Sequence, residues 1–86
     1  MKKNGPTQRE LEIAEIAAIM RTASGRNLMF RILNESGVES DTFDSDPIIH
    51  ARNAGRRLIG LWLKRELKAA ALSEYQLMMK ENMNAT

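Results

Sequence analysis

Residues 46–71 read DPIIHARNAGRRLIGLWLKRELKAAA, and this stretch decides the fold that the sequence predicts. Asp46 is a good N-cap because its carboxylate can accept a hydrogen bond from an amide that has no partner within the helix. Pro47 suits the first helical position because it has no amide hydrogen to lose. The stretch therefore predicts one long amphipathic helix over about residues 47–71.

Apolar and basic side chains fall on different faces of this helix. At about 100° per residue, one broad arc contains Ile48, Ala51, Gly55, Leu58, Ile59, Trp62, Leu63, Ala69 and Ala70. The opposite face contains His50, Asn53, Arg57, Lys64 and Lys68. The apolar arc predicts contact with a core or a partner. Trp62 is expected in the core because Leu58 and Ile59 lie one turn before it, although its area also suits an anchor for a partner.

A first helix is predicted ahead of this stretch. Thr7 and Glu10 form a capping box, in which each side chain satisfies the backbone amide of the other residue. The helix should continue to about Arg21, and its apolar residues cover more than half of its circumference. So broad an apolar surface requires neighbours on two sides.

Two shorter helices flank the long one. Ser24 is expected to cap a helix over about residues 25–35, which a glycine in the left-handed conformation ends. Ser73 and Gln76 form a second capping box, which predicts a last helix over about residues 74–82.

The pattern shows no alternation typical of strands, so the fold class is all-α. We expect a small bundle of about four helices with one long central helix over about residues 47–71. Residues 7–83 should form a single helical domain, with a flexible lead at 1–6 and a flexible tail at 84–86. A domain of 86 residues buries roughly 60–65% of its unfolded surface, so oligomerisation or docking would stabilise it.

Composition argues against several classes of function. The chain has no cysteine, which excludes disulfides and thiolate zinc sites and favours a reducing compartment. The longest apolar run is too short to span a membrane, and the first ten residues lack the hydrophobic region of a signal peptide. We expect a soluble protein made inside the cell. The formal net charge is +2, so charge is segregated along the chain and not in large excess.

The motifs with catalytic or ligand-binding potential have simpler explanations. GRRLIG at residues 55–60 has the glycine spacing of a phosphate loop, but it lacks the following Lys and Ser or Thr. Asp41, Asp44 and Asp46 fail the calcium-loop spacing and suit capping ahead of a helix N-terminus. His50 is the sole histidine and is expected to be a solvated surface residue. We therefore expect no enzyme activity, no metal and no cofactor.

Two glycines inside the long helix, Gly55 and Gly60, cost about 1 kcal/mol each relative to alanine. Ala51 and Gly55 are four residues apart and form a small notch on the apolar arc. Close approach of another helix is expected at this notch, because glycine has no side chain to hold the two backbones apart.

The basic residues of the long helix have three interpretations. Arg57, Lys64 and Lys68 lie along one side, where they could follow the phosphates of a nucleic acid. They could equally form a solvated face or meet an acidic protein surface. No aromatic residue interleaves with them as a base-stacking surface would require.

Arg52 and Arg56 lie at or just beyond the margin of the apolar arc, which suits the rim of an interface or pairing with the acidic loop. The candidate partner-binding residues are Arg52, Arg56, Arg57 and Trp62. The alternative nucleic-acid-binding residues are Arg57, Lys64 and Lys68.

Three blocks of the sequence resemble a known family. They read SGRNLMFRILNESGV at residues 24–38, AGRRLIGLWLKREL at 54–67 and YQLMMKEN at 75–82. In this order they are similar to the blocks of a small family of tailed-bacteriophage proteins, first labelled from a short-tailed Bordetella phage. The likeness covers roughly residues 24–82 and leaves the first helix outside. The matching positions are Gly25, Arg26, Gly55, Arg56, Arg57, Gly60, Leu61, Tyr75, Met78, Met79, Glu81 and Asn82.

The resemblance implies a phage protein encoded among head, portal and packaging genes, with no recognised catalytic activity. We expect a small structural or accessory virion protein, made in the host cytoplasm and present in many copies near the portal or the head–tail junction. Its expected partners are the portal or a neck protein, further copies of itself as a homo-oligomer, or both. The alternative is a packaging or regulatory factor that contacts DNA, and a third hypothesis is an inhibitor of a host protein.

Overall fold

A computed structural model describes residues 5–83, and all the regular structure in that range is helical. Helix α1 is Gln8–Met20, α2 is Ala23–Ser36 and α3 is Pro47–Met83. The predicted all-α class is confirmed. The predicted tail, residues 84–86, and most of the predicted lead, residues 1–4, lie outside the described residues.

The described residues form three helices, where about four were expected, because the last two predicted helices are joined across a kink in α3. The predicted last helix is the distal part of α3, which continues through a break at Ala71 (φ −156°, ψ 64°) to Met83. Ala71 has the non-helical backbone angles within α3, so Ser73 is already helical. An N-cap needs non-helical backbone angles, so Ser73 is not the cap of the helical segment that begins directly after the kink at Ala71.

Local hydrogen bonds start α1 and α2. The predicted capping box of α1 is confirmed: Thr7 Oγ1 accepts from the Glu10 amide at 3.0 Å, and Glu10 Oε1 accepts from the Thr7 amide at 2.7 Å. Helix α2 is capped by Thr22 and not by the predicted Ser24, which is helical. Gly37 ends α2 with a φ of 70°, in the left-handed region where glycine is favoured.

The core lies where the end of α1, the length of α2 and the second half of α3 meet. Its buried apolar residues are Met20, Leu33, Val38, Leu67, Ala71, Tyr75 and Met78. Three of them, Met20, Leu67 and Met78, are completely buried. The first turns of α3 extend beyond this core.

Ion pairs join three different parts of the chain to α3. They are Arg9–Glu66 from α1 at 2.6 Å, Arg26–Glu81 from α2 at 2.9 Å, and Glu39–Lys64 from the α2–α3 loop at 2.7 Å. Arg26 is buried and also donates to the carbonyls of Met20 and Arg21, at 3.0 and 3.2 Å. Its guanidinium therefore holds the end of α1, the start of α2 and the end of α3 together.

The molecule is flat and elongated. Its principal extents are 55 × 36 × 15 Å and its radius of gyration is 15.7 Å, against about 12 Å for a compact chain of this length. None of the helices in residues 5–83 is both long and apolar enough to cross a membrane.

Candidate partner-binding surface

Helix α3 turns its less apolar face toward the rest of the molecule. Gly60, Leu67 and Ala71 are buried, and they lie within about 20° of one direction around the helix axis. Arg57 and Lys64 point the same way and are half-buried. The buried face of α3 therefore contains glycine, alanine, Leu67 and the stems of basic side chains.

The opposite face of α3 is apolar and exposed. The exposed fractions are 70% for Ile48, 66% for Leu58, 62% for Ile59 and 51% for Trp62. We call these four residues the apolar ridge. The expectation that Trp62 belongs to the core is wrong, because Trp62 lies about 200° around the helix from the buried Gly60. Together the four residues present on the order of 500 Å², within the range of the largest apolar patch of a typical monomer, and such patches are often functional.

The two glycines of α3 have different surroundings, and only Gly60 lies where α3 meets α2 and the loop. A Cβ atom added to Gly60 would lie 2.7 Å from Ser36 Cβ and 3.0 Å from Val38 Cβ. A Cβ atom added to Gly55 would meet nothing within 4 Å. The close approach predicted at Ala51 and Gly55 therefore does not occur within the described chain, and it occurs at Gly60 instead. Gly55 lies open on the side of the ridge.

The four predicted partner-binding residues are not all on one surface. Arg52 is exposed and lies about 80° around the helix from Trp62, at one margin of the ridge. Arg56 lies farther round, where its Nη2 donates to Asn53 Oδ1 at 2.9 Å. Arg57 is on the inward side, away from the ridge. The structure thus brings Trp62 and Arg52 together and separates Arg57 from them.

The predicted nucleic-acid face is partly occupied by the chain itself. Lys64 Nζ donates to Glu39 Oε2 at 2.7 Å, and this hydrogen bond lowers the pKa of Glu39 and raises that of Lys64. The charges of Arg57 and Lys68 also lower the pKa of Glu39. Lys68 Nζ lies 5.4 Å from the centre of the Tyr75 ring. Glu39 therefore offsets part of the positive charge of this face.

The aspartates before α3 have the loop and capping role that the sequence predicts. Asp41 Oδ1 accepts from the Phe43 amide at 3.0 Å, and Asp44 Oδ1 accepts from the Asp46 amide at 2.8 Å. Asp46 Oδ1 accepts from the Ile48 amide at 2.9 Å, which confirms Asp46 as the cap of α3. No group of three His, Cys, Asp or Glu side chains within residues 5–83 is arranged to hold a metal ion.

His50 lies on the surface, as expected. Its Nδ1 is 3.0 Å from the Thr42 carbonyl oxygen, and its ring meets that of Phe43 edge-on with centroids 6.2 Å apart. Phe43 itself is 72% exposed. These contacts place the loop along the start of α3, on the side away from the ridge.

Many positions that carry the family resemblance have a structural role. A Cβ atom on Gly25 would collide with the Ile19 carbonyl group. Arg26 and Glu81 form the ion pair between α2 and α3, and Asn82 Nδ2 donates to the Met78 carbonyl at 2.8 Å. These residues hold the fold together.

The sequence placed Ile48, Leu58 and Ile59 on the apolar arc, for which core and partner contact both stayed open, and only Trp62 of that arc was listed as a partner-binding residue. The available signal was the pair of glycines, since Gly55 and Gly60 lie on different faces of one helix. Two glycines on different faces indicate two places of close approach, of which the described chain fills only one.

A family model of known proteins matches most of the chain. Residues 16–80 match the family model of the Bbp19-like phage proteins. The match begins within α1, earlier than the expected start at residue 24, and ends at residue 80, before Glu81 and Asn82. It confirms the family that the sequence resembles. Neither the curated proteins nor the solved structures yield a match.

Proposed function

Because the chain belongs to the Bbp19-like phage protein family, we propose that it is a small structural or accessory protein of the phage particle. It would be present in many copies near the portal or the head–tail junction and would act by binding other proteins. The proposal assigns no reaction to the chain. The observation that carries it is the apolar ridge of α3, which the chain leaves in solvent.

The exposed ridge is costly for a free protein. Burying on the order of 500 Å² of apolar surface contributes about 12 kcal/mol at about 25 cal/mol per Å², before the cost of association of at least about 4 kcal/mol. The ridge is therefore large enough to hold the chain on a partner that covers it.

The margin of the ridge indicates the chemistry of such a partner. Arg52 is exposed at one edge, and Arg65 is exposed close to Trp62. A partner with an apolar centre and acidic residues at its rim would match both features. The portal, a neck protein and a second copy of this chain are the partners that we propose.

The test is quantitative mass spectrometry of purified phage particles, with the copy number of this protein compared with that of the portal. We expect the protein in the particle at a fixed ratio to the portal. Leu58→Glu should reduce its incorporation, because the substitution places a charge in the ridge. Leu28→Glu is the matched control, since Leu28 is 47% exposed on α2. Absence of the wild-type protein from purified particles would refute the proposal.

Nucleic-acid binding is the second candidate, because Arg57, Lys64 and Lys68 share one side of α3. Glu39 offsets part of their charge, so we expect little DNA binding even at low salt. Strong binding that falls steeply with salt, and that charge reversal at Lys64 and Lys68 weakens, would instead favour this candidate. Inhibition of a host protein is the third, and a specific host partner recovered from infected cells would support it.

A further inference from the structure

We propose that the apolar ridge binds the same ridge of a second copy of this chain, with the two α3 helices antiparallel. The inference rests on the proposed function, because it names one partner for the same surface. Four observations support it: the spacing of the exposed residues, the order of large and small side chains, the distribution of charge, and the length of the ridge.

The exposed residues follow the spacing of a two-helix contact. Ile48, Gly55 and Trp62 are seven residues apart, and Ala51 and Leu58 lie between them, also seven apart. All five are exposed. This is the alternation of three and four residues by which paired helices insert side chains between one another. A second helix is therefore the occupant whose shape fits.

The order of side-chain sizes favours the antiparallel direction. Small residues, Ala51 and Gly55, occupy the first half of the ridge, and the large Leu58 and Trp62 occupy the second half. In an antiparallel pair Trp62 lies beside Ala51 of the second copy, and Leu58 lies beside its Gly55. A parallel pair would set large against large and leave a gap between the small residues, which the close packing of protein interfaces disfavours.

Charge favours the same direction. No acidic residue lies between Pro47 and Arg65, and the acidic residues of the preceding loop come just before Pro47. The antiparallel register sets Arg65 beside Ile48 of the second copy, within about 3 Å along the axis of its Asp46. A parallel pair would oppose Asp46 to Asp46 and Arg65 to Arg65, which is repulsive.

The length of the ridge matches a second ridge. Ile48 to Trp62 spans about 21 Å of helix, and α1 begins to cover α3 just beyond, where Arg9 binds Glu66. In the antiparallel register α3 of the second copy begins at the level of Glu66, so the contact between the two ridges ends where α1 begins to cover α3. Two ridges of about 500 Å² bury about 1,000 Å² in total, which is the lower limit for a specific interface and indicates a weak dimer.

The first experiment is sedimentation velocity of the purified full-length chain from about 1 μM to about 1 mM, a range that suits weak dissociation constants. We expect a reversible dimer. Leu58→Glu should raise the dissociation constant by about 30-fold or more, as for a central interface residue, whereas Leu28→Glu should leave it unchanged. Circular dichroism checks that both variants are folded. A folded wild-type chain that stays monomeric throughout this range would overturn the proposal.

The second experiment determines whether the two α3 helices are antiparallel or parallel. The chain has no native cysteine, so only the introduced cysteines can form disulfides. Ala51→Cys alone should not form a disulfide dimer, because the two positions lie about 16 Å apart in the antiparallel register. A mixture of Ala51→Cys and Trp62→Cys chains carrying different tags should form the mixed disulfide. Rapid disulfide formation by Ala51→Cys alone would show a parallel pair and overturn the proposed arrangement.

Failure of this inference is distinguishable from failure of the proposed function. A monomeric chain that purified particles contain at a fixed ratio would refute the second copy and support the virion role. A dimeric chain that is absent from purified particles would support a second copy as the partner and refute the virion role.

Discussion

Gly60 and Gly55 belong to the same helix but have opposite surroundings. The backbone of Gly60 meets Ser36 and Val38, whereas Gly55 faces open space. Ser36 Oγ is held in place by its hydrogen bond to the Leu33 carbonyl at 2.6 Å, so it has little freedom to move away from an added methyl group. The fold requires a glycine at position 60. Gly55 lowers the helix propensity of α3 and contacts no other part of the described chain.

This difference predicts opposite effects of one substitution. Gly60→Ala should lower the free energy of unfolding by about 1–3 kcal/mol, because the new methyl group overpacks the contact with Ser36 and Val38. Gly55→Ala should raise it by up to about 1 kcal/mol, through better helix propensity. Urea unfolding of dilute samples measures both. Equal effects of the two substitutions would contradict the placement of Gly60 against the loop.

At the scale of the element, α3 has one face packed against the rest of the chain and one exposed face. The buried face carries Leu67 and Ala71, while Leu58 and Trp62 lie on the exposed face. Apolar content alone would have selected the other orientation. The close approach at Gly60 and the core contacts of Leu67 determine which side is inside.

Matched leucine substitutions test this orientation. Leu67→Ala should lower the free energy of unfolding by about 2–5 kcal/mol, since Leu67 is completely buried and its removal leaves a cavity. Leu58→Ala should change it by no more than about 0.5 kcal/mol, since Leu58 is 66% exposed. Chemical denaturation at low protein concentration gives both values. A larger loss for Leu58→Ala would mean that the ridge is buried within the monomer.

At the scale of the whole molecule, ion pairs between distant parts of the chain keep α1, α2 and the loop on α3. Each lowers the pKa of its carboxylate: Arg26 that of Glu81, Arg9 that of Glu66, and Lys64 that of Glu39. All three carboxylates are therefore more acidic in the folded chain than their ordinary value of 4.5. The folded and unfolded chains therefore bind different numbers of protons near and below pH 4.5.

These lowered pKa values determine how the free energy of unfolding depends on pH. Below about pH 4.5 the unfolded chain binds more protons than the folded chain, so stability rises with pH in that window. The stabilisation is present above the ordinary carboxylate pKa and is lost as pH falls through the folded-state values. We expect the Tm to decrease progressively from about pH 4.5 downward.

Thermal unfolding followed by circular dichroism between pH 7 and pH 3 measures this effect. Glu81→Gln is the control variant, because its amide keeps the shape of the side chain without the titrating charge. Its Tm should be lower at neutral pH and should depend less on acid than that of the wild type. Parallel curves for the two proteins would show that the Arg26–Glu81 pair does not contribute to the acid dependence.

The sequence by itself determined the features that depend on near neighbours in the chain. The capping box of Thr7 and Glu10, the cap at Asp46 and the left-handed Gly37 are formed by bonds or backbone angles within a few residues, so the helix starts and the end of α2 were largely predictable. The all-α class and the phage family followed from the periodicity and from the three sequence blocks. Thr22 in place of Ser24 shows the limit of such rules, because both residue types suit an N-cap.

Only the tertiary structure decided which face of α3 is buried, why α3 continues past Ala71 and how Arg26 reaches Glu81. Each depends on contacts between residues far apart in sequence. A helical pattern gives the direction of a side chain around its own axis but not the direction in which the other helices lie. The position of Trp62 in solvent is therefore a property of the assembled chain, and the surface proposed to bind a partner became visible only when α2 and the loop had taken the other face.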